Sequence, residues 1–233
     1  MIIKRILVTN SKGGCGKTTI ATNIASHYAL NGLNVRLFDH DNQGSSLAWV
    51  NRRPDYLNHI NGVDASQKND HRHTRSWQLR VPPETDIAII DSYAGADISD
   101  LVALFQTNDS VLIPVLPSPI DIHATAHFIK KILTIGKSRK KMIRLAVVAN
   151  RVRKNTIMYN SLDRFLLSLK IPFISTLRDT QLYTRAIEQG VGVQEIKSST
   201  SKRDRDEWAP IFKWIEEPMV VEDNALNSLS IRS

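Results

Sequence analysis

Apolar runs of strand length recur along the chain and alternate with stretches whose apolar positions repeat at helical spacing, the pattern of βαβ units that build a parallel sheet. The strand-like runs are "IKRILVT" (3–9), "NVRLFD" (34–39), "DIAIID" (86–91), "SVLIPV" (109–114), "IRLAVVAN" (143–150) and a short "IPFIST" (171–176). They are continuously apolar rather than alternating, as expected when helices cover both faces of a sheet. The first helix is read from Ile20, Ala21, Ile24, Ala25, Tyr28 and Ala29, with Gly32 as its stop. Further helices are expected near 45–52, 98–107, 121–136, 156–169 and 180–189. Residues 64–80, "DASQKNDHRHTRSWQLR", are polar and basic and read as a surface excursion. The segment "KSSTSKRDRD" (197–206) reads as a loop or mobile linker, followed by a short amphipathic helix "EWAPIFKWIEE" (207–217). The pattern predicts a doubly wound α/β fold: one domain over 1–196, a basic linker and helix of the same domain over 197–217, and a disordered tail over 218–233. No internal repeat is present.

Composition narrows the classes. A chain of 233 residues holds one sizeable core, and 42% hydrophobic with 23% charged residues is a globular balance. No run approaches the roughly 18 apolar residues that a membrane span needs. The opening "MIIKRILVTN" carries charges inside its apolar segment and no small-residue cleavage site, so it reads as a strand rather than a signal peptide. Cys15 is the single cysteine, which excludes an internal disulfide, argues against a Cys-ligated metal or iron–sulfur site within one chain, and fits a reducing cytoplasm. The net charge of +8 is compatible with a polyanionic partner and equally with simple solubility.

The chemistry concentrates in "NSKGGCGKTT" (10–19). A loop that holds a triphosphate needs glycines, so that backbone N–H groups can approach, a helix N-terminus behind the phosphates and a lysine to neutralise charge. Gly13, Gly14, Gly16 and Lys17 supply these between a strand and a helix. Thr18 would give its hydroxyl to Mg²⁺, and Thr19 can help hold the α-phosphate. The strict pattern G-x-x-x-x-G-K-[ST] fails at Ser11, and that failure coincides with a second lysine, Lys12.

Two further elements bear carboxylates. In "LFDHDNQGSS", Asp39 closes a strand and Asp41 follows two residues later, at the sheet end where ligands bind in open α/β folds. One can steady the Mg²⁺ shell while the other orients a water; plain turn chemistry is the alternative. Asp91 closes the apolar strand 86–91, a costly place for an acid unless it has a partner such as a metal-bound water. Asp86, at the start of that strand, reads as a surface residue.

With these residues in view, the chain resembles the ParA/MinD family of deviant Walker ATPases, most of all the small ParA-type partition and positioning proteins. The family's K-G-G-x-G-K-[ST]-[ST] loop is matched from Lys12 to Thr19, its D-x-D-x-Q segment by Asp39, Asp41 and Gln43, and its strand-end acid by Asp91. Softer matches are "DSVLIPVLPSPIDI" (109–122), "VVANR" (147–151) and "TLRDTQLYTRAIEQG" (176–190), so the likeness spans roughly residues 3–195. The resemblance implies that Lys12 reaches across an ATP-bound homodimer to the partner's phosphates, while Lys17 serves its own nucleotide. It also implies Thr18 on Mg²⁺ with Asp39 and Asp91 acting through water, Asp41 on the hydrolytic water, and Asn150 on the base. Cys15 occupies a variable loop position. Asn42 and Tyr93 depart from the family's usual residues.

The resemblance further implies ATP-driven dimerisation, ATP-dependent binding to non-specific DNA, and slow hydrolysis stimulated by a ParB-like adaptor on a plasmid, chromosome or protein-assembly cargo. The expected location is cytoplasmic and nucleoid-associated. The basic residues that could contact DNA are Arg151, Arg153, Lys154, Arg178, Arg185, Lys202, Arg203 and Arg205. No helix-turn-helix segment precedes the first strand, so operator binding is not expected. The alternatives on the same fold are MinD-like membrane positioning, disfavoured by the acidic balance of 207–217, and a small-molecule ligase, disfavoured by Lys12. Electron transfer of the nitrogenase iron-protein kind needs two cysteines per subunit. His71 with His73, and His123 with His127 at helical spacing, are read as a polar loop and a helix face meeting its neighbours rather than as metal ligands.

Overall fold

A computed structural model of the protein describes residues 3–66, 81–95, 110–138, 143–153, 165 and 171–218. Among them lies a seven-stranded, wholly parallel sheet. Its strands are β1 (Lys4–Val8), β2 (Val35–Asp39), β3 (Ile60–Asp64), β4 (Ile87–Asp91), β5 (Ser110–Val115), β6 (Arg144–Val152) and β7 (Phe173–Arg178), in the spatial order β3-β2-β4-β1-β5-β6-β7. The helices are α1 (Lys17–Leu30), α2 (Ser45–Asn51), α3 (Pro119–Ser138), α4 (Gln181–Glu188), α5 (Lys202–Asp206) and α6 (Ala209–Glu216). This is the doubly wound α/β architecture that the sequence predicts.

Successive side chains of a strand point to opposite faces, so a strand covered on both sides must be apolar at every position. The core divides accordingly. Ile6 and Val8 of β1, Leu37 of β2, Ile87 and Ile89 of β4 and Leu112 of β5 pack with Ile20 and Ile24 of α1, Trp49 of α2 and Trp208, Phe212 and Trp214 of the C-terminal segment. Leu7, Phe38, Ala88, Ile90, Val111 and Ile113 face the other way, onto Phe128, Ile129 and Ile132 of α3.

Three sequence expectations are corrected. The stretch 60–64 was expected to carry no element but forms the edge strand β3, paired with β2 from Val35↔Ile60 to Asp39↔Asp64. Its residues "INGVD" are mostly exposed, so no apolar run announces it. Residues 199–206 were expected as a loop or mobile linker; instead a 3₁₀ turn (Ser199–Ser201) leads into α5. Two of the charges of "KRDRD", Asp204 and Arg205, are tied into the fold, while Lys202, Arg203 and Asp206 stay exposed. Arg178 of β7 forks onto the buried Asp204, with Nε to Oδ1 at 2.5 Å and Nη2 to Oδ2 at 2.7 Å, and Arg205 Nη1 donates to the Ile196 carbonyl at 2.5 Å. Helix α3 begins at Pro119, earlier than the expected 121, with proline in the first helical position where its missing N–H costs nothing. The expected helices at 98–107 and 156–169, nearly all of the excursion at 64–80, and the tail beyond 218 lie outside the described residues.

Candidate nucleotide site

Strand β1 stands where the chain's direction of travel across the sheet reverses, flanked by β4 and β5, and the crevice at its carboxyl end is where ligands bind in such sheets. Asn10, just past β1, is buried and fixes the start of the loop. Its Nδ2 donates to the Pro114 carbonyl at 2.7 Å and to Thr125 Oγ1 at 3.0 Å, and its Oδ1 accepts the Lys12 N–H at 3.3 Å. The sequence reading gave Asn10 no role; the signal was a polar residue directly after an apolar strand. Gly14 and Gly16 have φ of +72° and +96°, which L side chains rarely adopt, and α1 starts at Lys17.

The loop borders a cavity of about 610 Å³, within the range of small-ligand sites. Gly13, Gly14, Gly16, Lys17, Thr18 and Thr19 line one wall. Asp41, Gln43 and Ser45 line a second, and Asn150, Arg151, Asp179, Thr180, Tyr183 and Thr184 a third. Lys17 is buried, and its Nζ donates to the Lys12 carbonyl at 3.1 Å, a backbone acceptor that a phosphate oxygen could replace. Cys15 is buried with Sγ on the same carbonyl at 3.3 Å; burial pushes its thiol up despite the nearby Lys17, so it is not a thiolate nucleophile.

Lys12 is not among the residues that border this cavity. It borders a separate surface groove with Pro119, Ile120, His123 and Ala124 at the start of α3. The two lysines thus border different spaces: Lys17 lines the cavity and Lys12 the groove. Ser11 is half-buried, with Oγ on Asn10 Oδ1 at 3.4 Å, and its carbonyl accepts the Gly95 N–H at 3.1 Å, tying the loop after β4 to the glycine-rich loop.

Asp39 and Asp91 are register partners on the adjacent strands β2 and β4, but their surroundings differ. Asp39 Oδ2 accepts the N–H groups of Ser46 at 2.9 Å and Leu47 at 3.1 Å, and Oδ1 accepts that of Asp41 at 2.9 Å. Asp39 therefore holds the start of α2 and the turn that carries Asp41, whose own Oδ1 accepts the Gln43 N–H at 3.0 Å. Asp91 is 1% exposed, and neither of its oxygens makes a hydrogen bond. Burial pushes its carboxyl up to about 7; Asp39 adds to the rise, and the Thr18 hydroxyl, Lys17 and Ser46 oppose it. An orphaned carboxylate beside a threonine hydroxyl is the donor set that a hydrated hard cation completes, so these residues fit Mg²⁺. Thr18 would hold the ion directly, with Asp91 and Asp39 through its waters. Bound there, the ion would neutralise charge on the β- and γ-phosphates.

Asn150 ends the unbroken buried run of β6 from Leu145. Its Nδ2 donates to the Cys15 carbonyl at 2.8 Å and its Oδ1 accepts the Arg151 N–H at 3.0 Å. One N–H of the amide remains to meet a base. Arg151 has φ +53°, unusual for a residue with a side chain. Of the predicted departures, Asn42 is exposed and Tyr93 packs against the second half of the core.

The eight basic residues expected to meet DNA separate in the structure. Arg178 and Arg205 are committed to Asp204 and to backbone carbonyls, which removes them from the candidates. Arg151 and Arg153 are 62% and 76% exposed and share Asp179; Arg185, Lys202 and Arg203 are exposed. Lys154 lies outside the described residues. His123 and His127 are both exposed, correcting the expectation that they meet neighbouring elements; His71 and His73 are not described. Among the described residues no cluster of His, Cys, Asp and Glu of metal-binding size occurs, and no helix is long and apolar enough to cross a membrane.

The loop, the acids at the ends of β2 and β4 and the surrounding sheet define a P-loop nucleotide-binding protein. Residues 6–193 match the family model of the CobQ/CobB/MinD/ParA nucleotide binding domain, and the chain belongs to that family of ATPases. It is 31% identical over 195 residues to maintenance of carboxysome distribution protein A of Halothiobacillus neapolitanus, covering 82% of this chain and 87% of that relative. In fold it is similar to the MinD cell division protein of Aquifex aeolicus, with TM-score 0.67, 20% identity, and coverage of 93% of this chain and 99% of the other. A putative plasmid partition protein from Borrelia burgdorferi B31, solved with AMPPNP bound, gives TM-score 0.68 at 16% identity, covering 91% and 99%. ATP and Mg²⁺ are consistent with the family.

Proposed function

We propose that the protein is a ParA-type positioning ATPase that dimerises on Mg·ATP, binds DNA without sequence preference and releases it when an adaptor on the cargo stimulates hydrolysis. The observation that carries this reading is the divergence of the two loop lysines. Lys17 Nζ stays within the loop at 3.1 Å from the Lys12 carbonyl, which is what one nucleotide needs. Lys12 borders an exposed groove against α3, where a second subunit could bring its own phosphates. Asp41 is the proposed residue for the hydrolytic water, and the hydrogen bond from its N–H to Asp39 supports that reading by fixing its turn. The name of the Halothiobacillus neapolitanus relative, carboxysome distribution, supports a protein assembly as cargo, and the partition likeness supports a DNA cargo.

Arg151, Arg153, Arg185, Lys202 and Arg203 are the proposed DNA contacts, through phosphates alone. ATP turnover with and without non-specific DNA, and DNA retention across a salt series with Mg·ATP, test the reading. Each neutralised phosphate contributes about −0.9 to the log–log salt slope. Binding that ignores salt, or none with Mg·ATP present, contradicts it. The burial of Ile211, Phe212, Trp214 and Ile215 of α6 in the core argues against the membrane alternative, since the apolar face of that helix is already used.

A further inference from the structure

Asp39 and Asp41 sit at one end of α2, and beyond the other end lies a buried ion pair that nucleotide chemistry does not use. The side chains of Arg53 and Glu195 are 5% and 2% exposed. Arg53 Nη1 donates to Glu195 Oε2 at 3.0 Å, Nη2 donates to Oε1, and Nε donates to the Asn58 carbonyl at 2.7 Å. The guanidinium lies 5.6 Å from the centroid of the Trp49 ring, and Trp49 Nε1 donates to the Val191 carbonyl at 3.2 Å. Glu195 Oε2 also accepts the Gly192 N–H at 2.8 Å.

The segment that receives these bonds is itself fastened to α1. Val193 N–H donates to Asn23 Oδ1 at 2.7 Å, and Gly192 lies so close to Ser26 that a Cβ there would come within 1.7 Å of Oγ. Helix α1 begins with Lys17 and Thr18. A buried chain of contacts therefore runs from the phosphate-loop helix, through 191–195, to the far end of α2 and so to the acid-bearing turn.

Helix α2 has seven residues, too few to hold its own shape, so its position is set by tertiary contacts, Trp49 in the core and the attachments at its two ends. Apolar packing is non-directional, whereas a forked arginine–carboxylate pair fixes angle as well as distance. A buried ion pair is a weak source of net stability against an apolar replacement. Its contribution here is direction. We infer that Arg53 and Glu195 are positioning residues for ATP hydrolysis: they brace α2 against α1, so that Asp39 and Asp41 stand opposite Lys17 and Thr18. The inference rests on the ATPase reading above.

Two variants test it, Glu195→Gln and the double variant Arg53→Met/Glu195→Met, each measured for melting temperature, Mg²⁺-free affinity for a fluorescent ADP analogue, kcat and KM for ATP, and amide exchange. The brace predicts wild-type ADP affinity, a kcat lowered about tenfold with little change in KM, the size expected of a small misplacement. It also predicts faster exchange at the Ser46 and Leu47 amides with α1 unchanged. Wild-type kcat and exchange in either folded variant overturn it. Loss of ADP affinity together with α1 protection also overturns it, because the pair would then be merely structural. Should the double variant not fold, Glu195→Gln decides alone, since its amide keeps the shape and loses one arm of the fork. A wild type without ATP turnover would refute the ATPase reading, and the Ser46 and Leu47 exchange would still report on the brace.

Discussion

Asn150 Nδ2 occupies the place where a side chain on Gly16 would begin: it donates to the Cys15 carbonyl at 2.8 Å, and a Cβ on Gly16 would lie 1.9 Å from it. The end of β6 is thereby keyed into the phosphate loop, and both must move if either changes. Gly16→Ala is expected to keep the sheet, since the loop lies outside it, and to lower ADP affinity at least about tenfold, roughly 1.4 kcal/mol. Calorimetric titration with ADP checks this; wild-type affinity would show that loop and strand are not keyed.

The two register partners Asp39 and Asp91 are expected to fail differently. Asp39→Ala strips the acceptor from three backbone N–H groups, and the stability loss should be on the order of 1–3 kcal/mol even without nucleotide. Asp91→Asn removes a buried charge that has no hydrogen bond, so the nucleotide-free protein should melt no lower than wild type at neutral to alkaline pH. Its defect should appear as a loss of the Mg²⁺-dependent rise in melting temperature with ADP. Thermal melts with and without Mg·ADP separate the two.

Acid stability should depend on His27. Its ring stacks on Phe212 with centroids 3.5 Å apart, and burial lowers its pKa from 6.5 to about 4. The unfolded chain then binds the proton more readily than the folded one between those values. The stability contributed by the neutral ring is complete above 6.5 and falls as the pH drops toward 4. His27→Phe keeps a stacking ring and has no proton to gain, so its melting temperature should fall less over that window than that of wild type.

Arg178 and Arg185 look alike in sequence and should not behave alike. Arg178→Ala leaves Asp204 buried without its partner and should lower the melting temperature. Arg185→Ala should leave melting unchanged and flatten the salt slope of DNA binding by up to about one unit. Filter retention of DNA across a salt series, beside melts of both variants, distinguishes them.

The sheet and the phosphate loop were legible because burial on both faces gives β1, β4, β5 and β6 unbroken apolar stretches such as 6–8 and 145–149, and because a phosphate cradle needs glycines between a strand and a helix. Strand β3 was not legible: as an edge strand with Asn61 and Gly62 exposed, it has no apolar run to read. The C-terminal segment misled for the opposite reason. "KRDRD" has the composition of a solvated linker, yet Asp204 is buried under Arg178, a pairing 26 residues apart that local pattern cannot reveal. The division of labour between Asp39 and Asp91 was hidden although the partners of Asp39 lie within eight residues of it. Both are acids closing apolar strands, and only the backbone of α2, folded over one of them, tells them apart.

On the proposed function, Lys12 acts on a second subunit while Lys17 acts on its own nucleotide. Sedimentation velocity of wild type and Lys12→Ala with Mg²⁺ and AMPPNP, beside ADP titration of each, tests it most directly. A wild-type dimer and a Lys12→Ala monomer that still binds ADP as tightly as wild type are expected. A Lys12→Ala protein that dimerises like wild type, or that loses ADP binding as a monomer, would contradict it.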